Sequence, residues 1–148
     1  MEKLIHSQKN FLDVLYVFEN TLTVFKRPNL DDDLKSIIMT SLIKNNEMCY
    51  EALLKFLDIF LIDKLGIKIT GKDRSKNIIR ECLLNNLIDE ISAIELLDLN
   101  AIRNFTVHEY NEESMLEHIE KIETYFCIFK KLEFIGNKEL VTTQLLVN

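Results

Sequence analysis

The chain has 148 residues, a formal net charge of −6 and an apolar fraction of 47%. That length suits one domain with a proper core, and the negative balance argues against a broad nucleic-acid-binding surface. With only 3 Gly and 1 Pro, few breaks interrupt the secondary structure. Together with abundant Leu, Ile, Lys, Glu and Asn, this predicts an all-α domain.

Leu4, Phe11, Leu15, Phe18, Leu22 and Phe25 are spaced by 7, 4, 3, 4 and 3. This is a first helix with one buried stripe. Lys26 and Arg27 suit its C-terminal end, Pro28 stops it, and Asn29 to Asp33 offers N-cap candidates for the next. The second helix is predicted from Leu34 to Lys64, on the stripe Ile38, Leu42, Asn45, Cys49, Ala52, Phe56 and Ile59. Leu53, Leu57 and Phe60 widen its apolar face, so it should touch more than one neighbour.

Gly66 to Gly71 reads as a turn. A shorter third helix is predicted from Asp73 to Leu87, with Asp73 and Ser75 as cap candidates. A fourth runs from Ile91 to Val107. The fifth runs from Glu112 to Phe134, with Met115, Ile119, Ile122, Phe126 and Phe129 on one stripe and Asn111 as N-cap. Gly136 fits the position just past its end. Four main helices and a short one, joined by short connections, make an antiparallel up-and-down bundle over residues 1–135. Residues 136–148 form a C-terminal tail, apolar enough from Leu140 to Val147 to dock.

Cys49, Cys82 and Cys127 are far apart and odd in number, with no CxxC or Cys/His cluster. Neither a disulfide framework nor a zinc site is indicated, and no metal or other cofactor is expected. Scattered Cys at apolar positions fit a reducing cytosol. The start of the chain carries no export signal. The most hydrophobic stretch, Leu53 to Ile62, contains Lys55 and Asp58 and is about half the ~20 residues that span a membrane. A cytoplasmic protein without membrane contact is expected.

The run Arg103-Asn104-Phe105-Thr106-Val107-His108-Glu109-Tyr110 concentrates chemistry. Arg offers a permanent cation whose planar fork suits phosphate. His, with an unperturbed pKa of about 6.5, takes and gives protons near neutrality. On an ideal helix Asn104 and His108 share a face, so Asn104 can fix the imidazole tautomer. Arg103 and His108 stand about 140° apart on a continuous helix and converge better if the helix ends near Val107. Two copies of the segment facing each other across a two-fold axis also solve the geometry. The ordinary alternatives are a helix-end cation for His108, a surface ion pair for Arg103 and a packing aromatic for Tyr110.

Charge is uneven around this run. Lys68, Lys72, Arg74, Lys76 and Arg80 stand against Asp73 alone, making a basic patch that suits a phosphate backbone. Glu109, Glu112, Glu113, Glu117, Glu120 and Glu123 stand against Lys121, making an acidic stretch that repels one. Solvated helix faces are the ordinary reading of both. His6 and His118 attract no functional role, and His118 is expected on the exposed side of the last helix.

Arg103 to Tyr110 resembles the Arg-x4-His-x-Tyr signature of HEPN domains. The likeness is specifically to the HepT-type toxins and the related nucleotidyltransferase substrate-binding proteins, in the variant with Asn after the Arg. Glu47 to Leu57 is similar to that family's second helix, Arg80 to Ile88 to the segment before its fourth, and Tyr110 to Glu113 to the acidic start of its last. The similarity covers roughly Leu30 to Leu132.

The resemblance implies a helical bundle that forms a homodimer with Arg103 and His108 at the cleft. It implies a metal-independent ribonuclease in which the RNA 2′-OH attacks the adjacent phosphate. His108 would then be general acid or base, Arg103 would stabilise the phosphorane, and Asn104 would orient His or phosphate. Lys72, Arg74, Lys76 and Arg80 would hold RNA. The implied partner is an MNT-type nucleotidyltransferase acting as antitoxin, which attaches AMP to Tyr110 and blocks the site with bulk and charge. The alternative within the same family is a non-catalytic substrate-binding subunit for that enzyme.

Overall fold

The apolar stripes become the buried faces of five helices among the described residues. These are α1 (Glu2–Phe25), α2 (Asp32–Leu65), α3 (Arg74–Leu84), α4 (Glu90–Thr106) and α5 (Glu112–Val147). The structure is a computed structural model; it describes the backbone of residues 1–106 and 112–147 and the side chains of residues 1–102 and 116–133. No strand occurs among the described residues, so the chain is an all-α bundle.

In α1 the stripe Leu4, Phe11, Leu15, Phe18 and Leu22 is buried. The helix stops at Phe25, three residues before Pro28, whose ring could not continue it. Helix α2 ends on Gly66 at φ +67°, donating its N–H to the Ile62 carbonyl at 3.1 Å, while Ile67 donates to Leu61 at 2.9 Å. This closure needs the left-handed conformation that glycine adopts without penalty.

Helices α1 and α2 are antiparallel, joined by Asn45 to Thr21 at 2.8 Å, by the Phe11 and Phe56 rings at 6.5 Å, and by the Met1 amino group to Asp63 at 3.5 Å. Helix α5 lies parallel to α2, with Asn46 against His118 near its start. Further along, the Phe11 ring meets Phe56 of α2 and Phe129 of α5. Helix α4 returns antiparallel to α5 through Asp98 with Lys121 and Asp89 with Lys131. As its wide apolar face predicts, α2 contacts α1, α3 and α5.

Two boundaries differ from expectation by more than two residues. Helix α3 ends at Leu84 rather than Leu87, because Asn86 turns left-handed at φ +60°. Helix α5 runs through Gly136 to Val147 instead of stopping before that glycine. A single glycine inside a helix costs about 1 kcal/mol relative to Ala, and no Pro follows to end the helix. Among the described residues, no helix is long and apolar enough to cross a membrane.

Candidate functional site

Helix α4 leads into the Arg-Asn-x3-His-x-Tyr run. Its first turn is capped by Asp89, whose carboxylate accepts the Ser92 backbone N–H at 2.8 Å and pairs with Lys131 of α5. Lys131 and then Ser92 hold the Asp89 carboxyl well below the usual range. Ser92, Ala93, Leu96, Leu99 and Asn100 form the buried face of α4. Arg103 and Asn104 lie within α4, one turn beyond Leu99 and Asn100. Their side chains, and all of His108 and Tyr110, lie outside the described residues.

Buried polar contacts grip both flanks of that run. Tyr50 of α2, fully buried, donates to the Asn100 side chain at 2.8 Å, three residues before Arg103. One turn earlier on α2, Asn46 has its amide nitrogen 2.9 Å from His118 Nε2 on α5. With the amide donating, the imidazole proton belongs on Nδ1. Burial pushes the His118 pKa down, which keeps the ring neutral. The His118 and Tyr125 rings form a T-shaped pair with centroids 6.3 Å apart. Tyr125 in turn donates to Asp98 of α4 at 3.0 Å, and Asp98 pairs with Lys121. Lys121, and then Tyr125, hold the Asp98 carboxyl below its ordinary value against partial burial.

His118 therefore corrects the expectation of an exposed position: it is 1% exposed. The sequence carried the signal, because His118 continues the stripe Ile122, Tyr125, Phe129 and Leu132 at spacings 4, 3, 4 and 3. Asn46 was missed for the same reason. The fully buried position is Asn46, whereas Asn45 is half-buried and faces Thr21 of α1. A polar residue on an apolar stripe reads locally as an interruption, although burial only requires that it be hydrogen-bonded.

The basic residues are partly dispersed. Lys76 and Arg80 stand one turn apart on α3, and Arg80 also reaches Asn77 at 3.4 Å. Lys72 precedes the helix in an exposed turn. Arg74 pairs with Asp58 of α2 and so is drawn off the patch. Asp58 lies eight residues beyond Tyr50, about 12 Å along α2 at 1.5 Å per residue. The patch and the end of α4 thus occupy different levels of the bundle.

The fold is an all-α bundle with polar groups buried between α2, α4 and α5 beside the last turn of α4. The chain belongs to the HEPN-type family described as nucleotidyltransferase substrate binding protein like, whose family model matches residues 7–135. A crystal structure of a protein from Thermus thermophilus shares the fold. Its TM-score is 0.68 at 20% identity, and the match covers 82% of this chain and 94% of that one. No curated protein matches the sequence.

Proposed function

We propose that this protein is the helical partner of an MNT-type nucleotidyltransferase and presents the Arg103–Tyr110 segment, in a homodimer, to a nucleotide or RNA phosphate. The family match over residues 7–135 carries this reading. The acidic stretch beside the motif supports a partner-binding role over extended RNA binding, since RNA gains affinity from phosphate contacts.

A second reading is favoured by the intact Arg103-x4-His108-x-Tyr110 run. Here the protein is a ribonuclease toxin. His108 takes the proton of a ribose 2′-OH, and the resulting oxygen attacks the adjacent phosphorus. The 5′-oxygen leaves, taking a proton from solvent, and a 2′,3′-cyclic phosphate remains. Arg103 balances the charge that builds on the phosphorane, and Asn104 orients the imidazole. Lys72, Lys76 and Arg80 guide the RNA backbone. The nucleotidyltransferase then serves as antitoxin by adding AMP to Tyr110, placing negative charge beside Arg103.

One experiment separates the two. The protein is purified alone and with its nucleotidyltransferase, and RNA cleavage is measured in EDTA beside Arg103→Ala and His108→Ala. Stable co-purification with no cleavage, and an unmodified intact mass, is expected from the partner-subunit reading. Chelator-resistant cleavage that leaves cyclic phosphate ends and vanishes in both variants establishes the toxin. An inactive protein whose mass is raised by AMP at Tyr110 is a neutralised toxin. Failure both to bind the enzyme and to cleave RNA overturns both readings.

A further inference from the structure

Asn46 and His118 are 0% and 1% exposed, and they hydrogen-bond each other across α2 and α5. Asn46 Oδ1 and His118 Nδ1 have no hydrogen-bond partner among the described residues. Leaving two polar atoms unpaired in the interior is costly, because each gives up its hydration without a replacement hydrogen bond. Apolar side chains of similar size would fill the same space without that cost.

The location of the pair is informative. Helices α2 and α4 run antiparallel, and Tyr50 meets Asn100. Asn46 lies four residues before Tyr50 on α2, which corresponds to four residues after Asn100 on α4, at position 104. A second route starts from Lys121 of α5 against Asp98 of α4. Three residues back on α5 is His118, which corresponds to position 101 on α4. Both routes put the Asn46–His118 pair level with the final turns of α4, where Arg103 and Asn104 lie. The same pair fixes the second turn of α5, which begins at Glu112. It therefore reaches both ends of the stretch that contains His108 and Tyr110.

We propose that Asn46 and His118 are positioning residues for the Arg103–Tyr110 segment. They lock α2 to the start of α5 at the level where α4 ends. Tyr50, through Asn100, is the second arm of the same device. The proposal rests on the reading that this segment is the functional site, but its test needs no activity.

The test is NMR on the full-length protein. Backbone amides of residues 103–110 are assigned and the His108 ring is titrated in the wild type, Asn46→Ala, His118→Gln and Tyr50→Phe. Ser92→Ala serves as control, because Ser92 is also fully buried but lies at the opposite end of α4. Asn46→Ala and His118→Gln are expected to displace the 103–110 amides and move the His108 midpoint by about half a pH unit or more. Tyr50→Phe should do so less, and Ser92→Ala should do neither. A purely structural pair would lower the unfolding midpoint of these variants and leave the His108 titration at its wild-type position, and that result overturns the proposal. Should Asn46→Ala fail to fold, His118→Gln and Tyr50→Phe decide on the same readouts. Loss of function in Arg103→Ala with unaltered shifts in the positioning variants would keep the site and reject the device.

Discussion

A thiol buried in an apolar core cannot ionise without losing its hydration. Cys49 is pushed far above its ordinary value by burial, and Cys82 is pushed up to about 12 by burial and then by the charges of Glu81 and Asp58. Cys127 is exposed. A thiol reagent such as Ellman's should therefore titrate one cysteine promptly in the native protein and all three in denaturant. Prompt reaction of two or more native thiols would contradict this burial. His118 has a pH signature of its own. Its folded pKa is depressed, so below about pH 6.5 the unfolded chain binds a proton that the folded chain refuses. Stability from the neutral imidazole is complete above that pH and is lost as pH falls toward the folded pKa. Urea unfolding at pH 7.5 and 5.5 should show a lower midpoint at pH 5.5, and His118→Gln should flatten the difference. Asp89 and Asp98 have lowered pKa values, so their stabilisation fades only below the ordinary carboxylate range and leaves this window clear.

At the scale of the element, α4 depends on how it starts. Asp89 accepts the Ser92 N–H, one of the four amides that a helix N-terminus leaves unpaired. Its partner Lys131 is half exposed, and an ion pair of that kind contributes about 0–1 kcal/mol. Asp89→Ala is expected to destabilise the protein by about 1 kcal/mol, mainly through the lost cap. Lys131→Met should cost clearly less. Equal losses in urea denaturation would show that the ion pair, and not the cap, secures the helix start. Helix α3 illustrates a different balance. Cations on its first turn oppose the helix dipole, yet Arg74 is satisfied by Asp58 of α2. The apolar side of α3, Ile78, Ile79 and Cys82, is buried.

For the whole molecule, the aromatic centre joins three helices. Phe129 of α5 meets Phe11 at 6.4 Å and Phe18 at 6.2 Å, both from α1, and Phe11 stacks on Phe56 of α2. Phe129 is 0% exposed, whereas Phe126 is only half-buried. Phe129→Ala should cost about 3–5 kcal/mol through lost transfer energy and the cavity left behind. Phe126→Ala should cost less. Guanidinium unfolding checks the order, and an equal or reversed order would show that the centre of the core lies elsewhere.

Periodicity placed the helices because it is local: residues three and four apart share a face whatever the rest of the chain does. Pro28 and Gly66 were legible as stops for the same reason, each acting through its own backbone. The family was legible too, since Arg103 to Tyr110 and its flanks form short runs of sequence. Which side of a helix accepts a polar residue was not local. Asn46 and Asn45 are neighbours in the chain, yet one joins His118 in the interior and the other meets Thr21 on α1. Arg74 looked equivalent to Lys76 and Arg80 until α2 brought Asp58 beside it. By itself, the sequence determined an all-α chain, its helix faces and the kin of its Arg-x4-His-x-Tyr run. Only the tertiary structure decided which polar groups are buried together at the end of α4, because hydrogen bonds across 50 or 72 residues of chain exist only once the helices have packed.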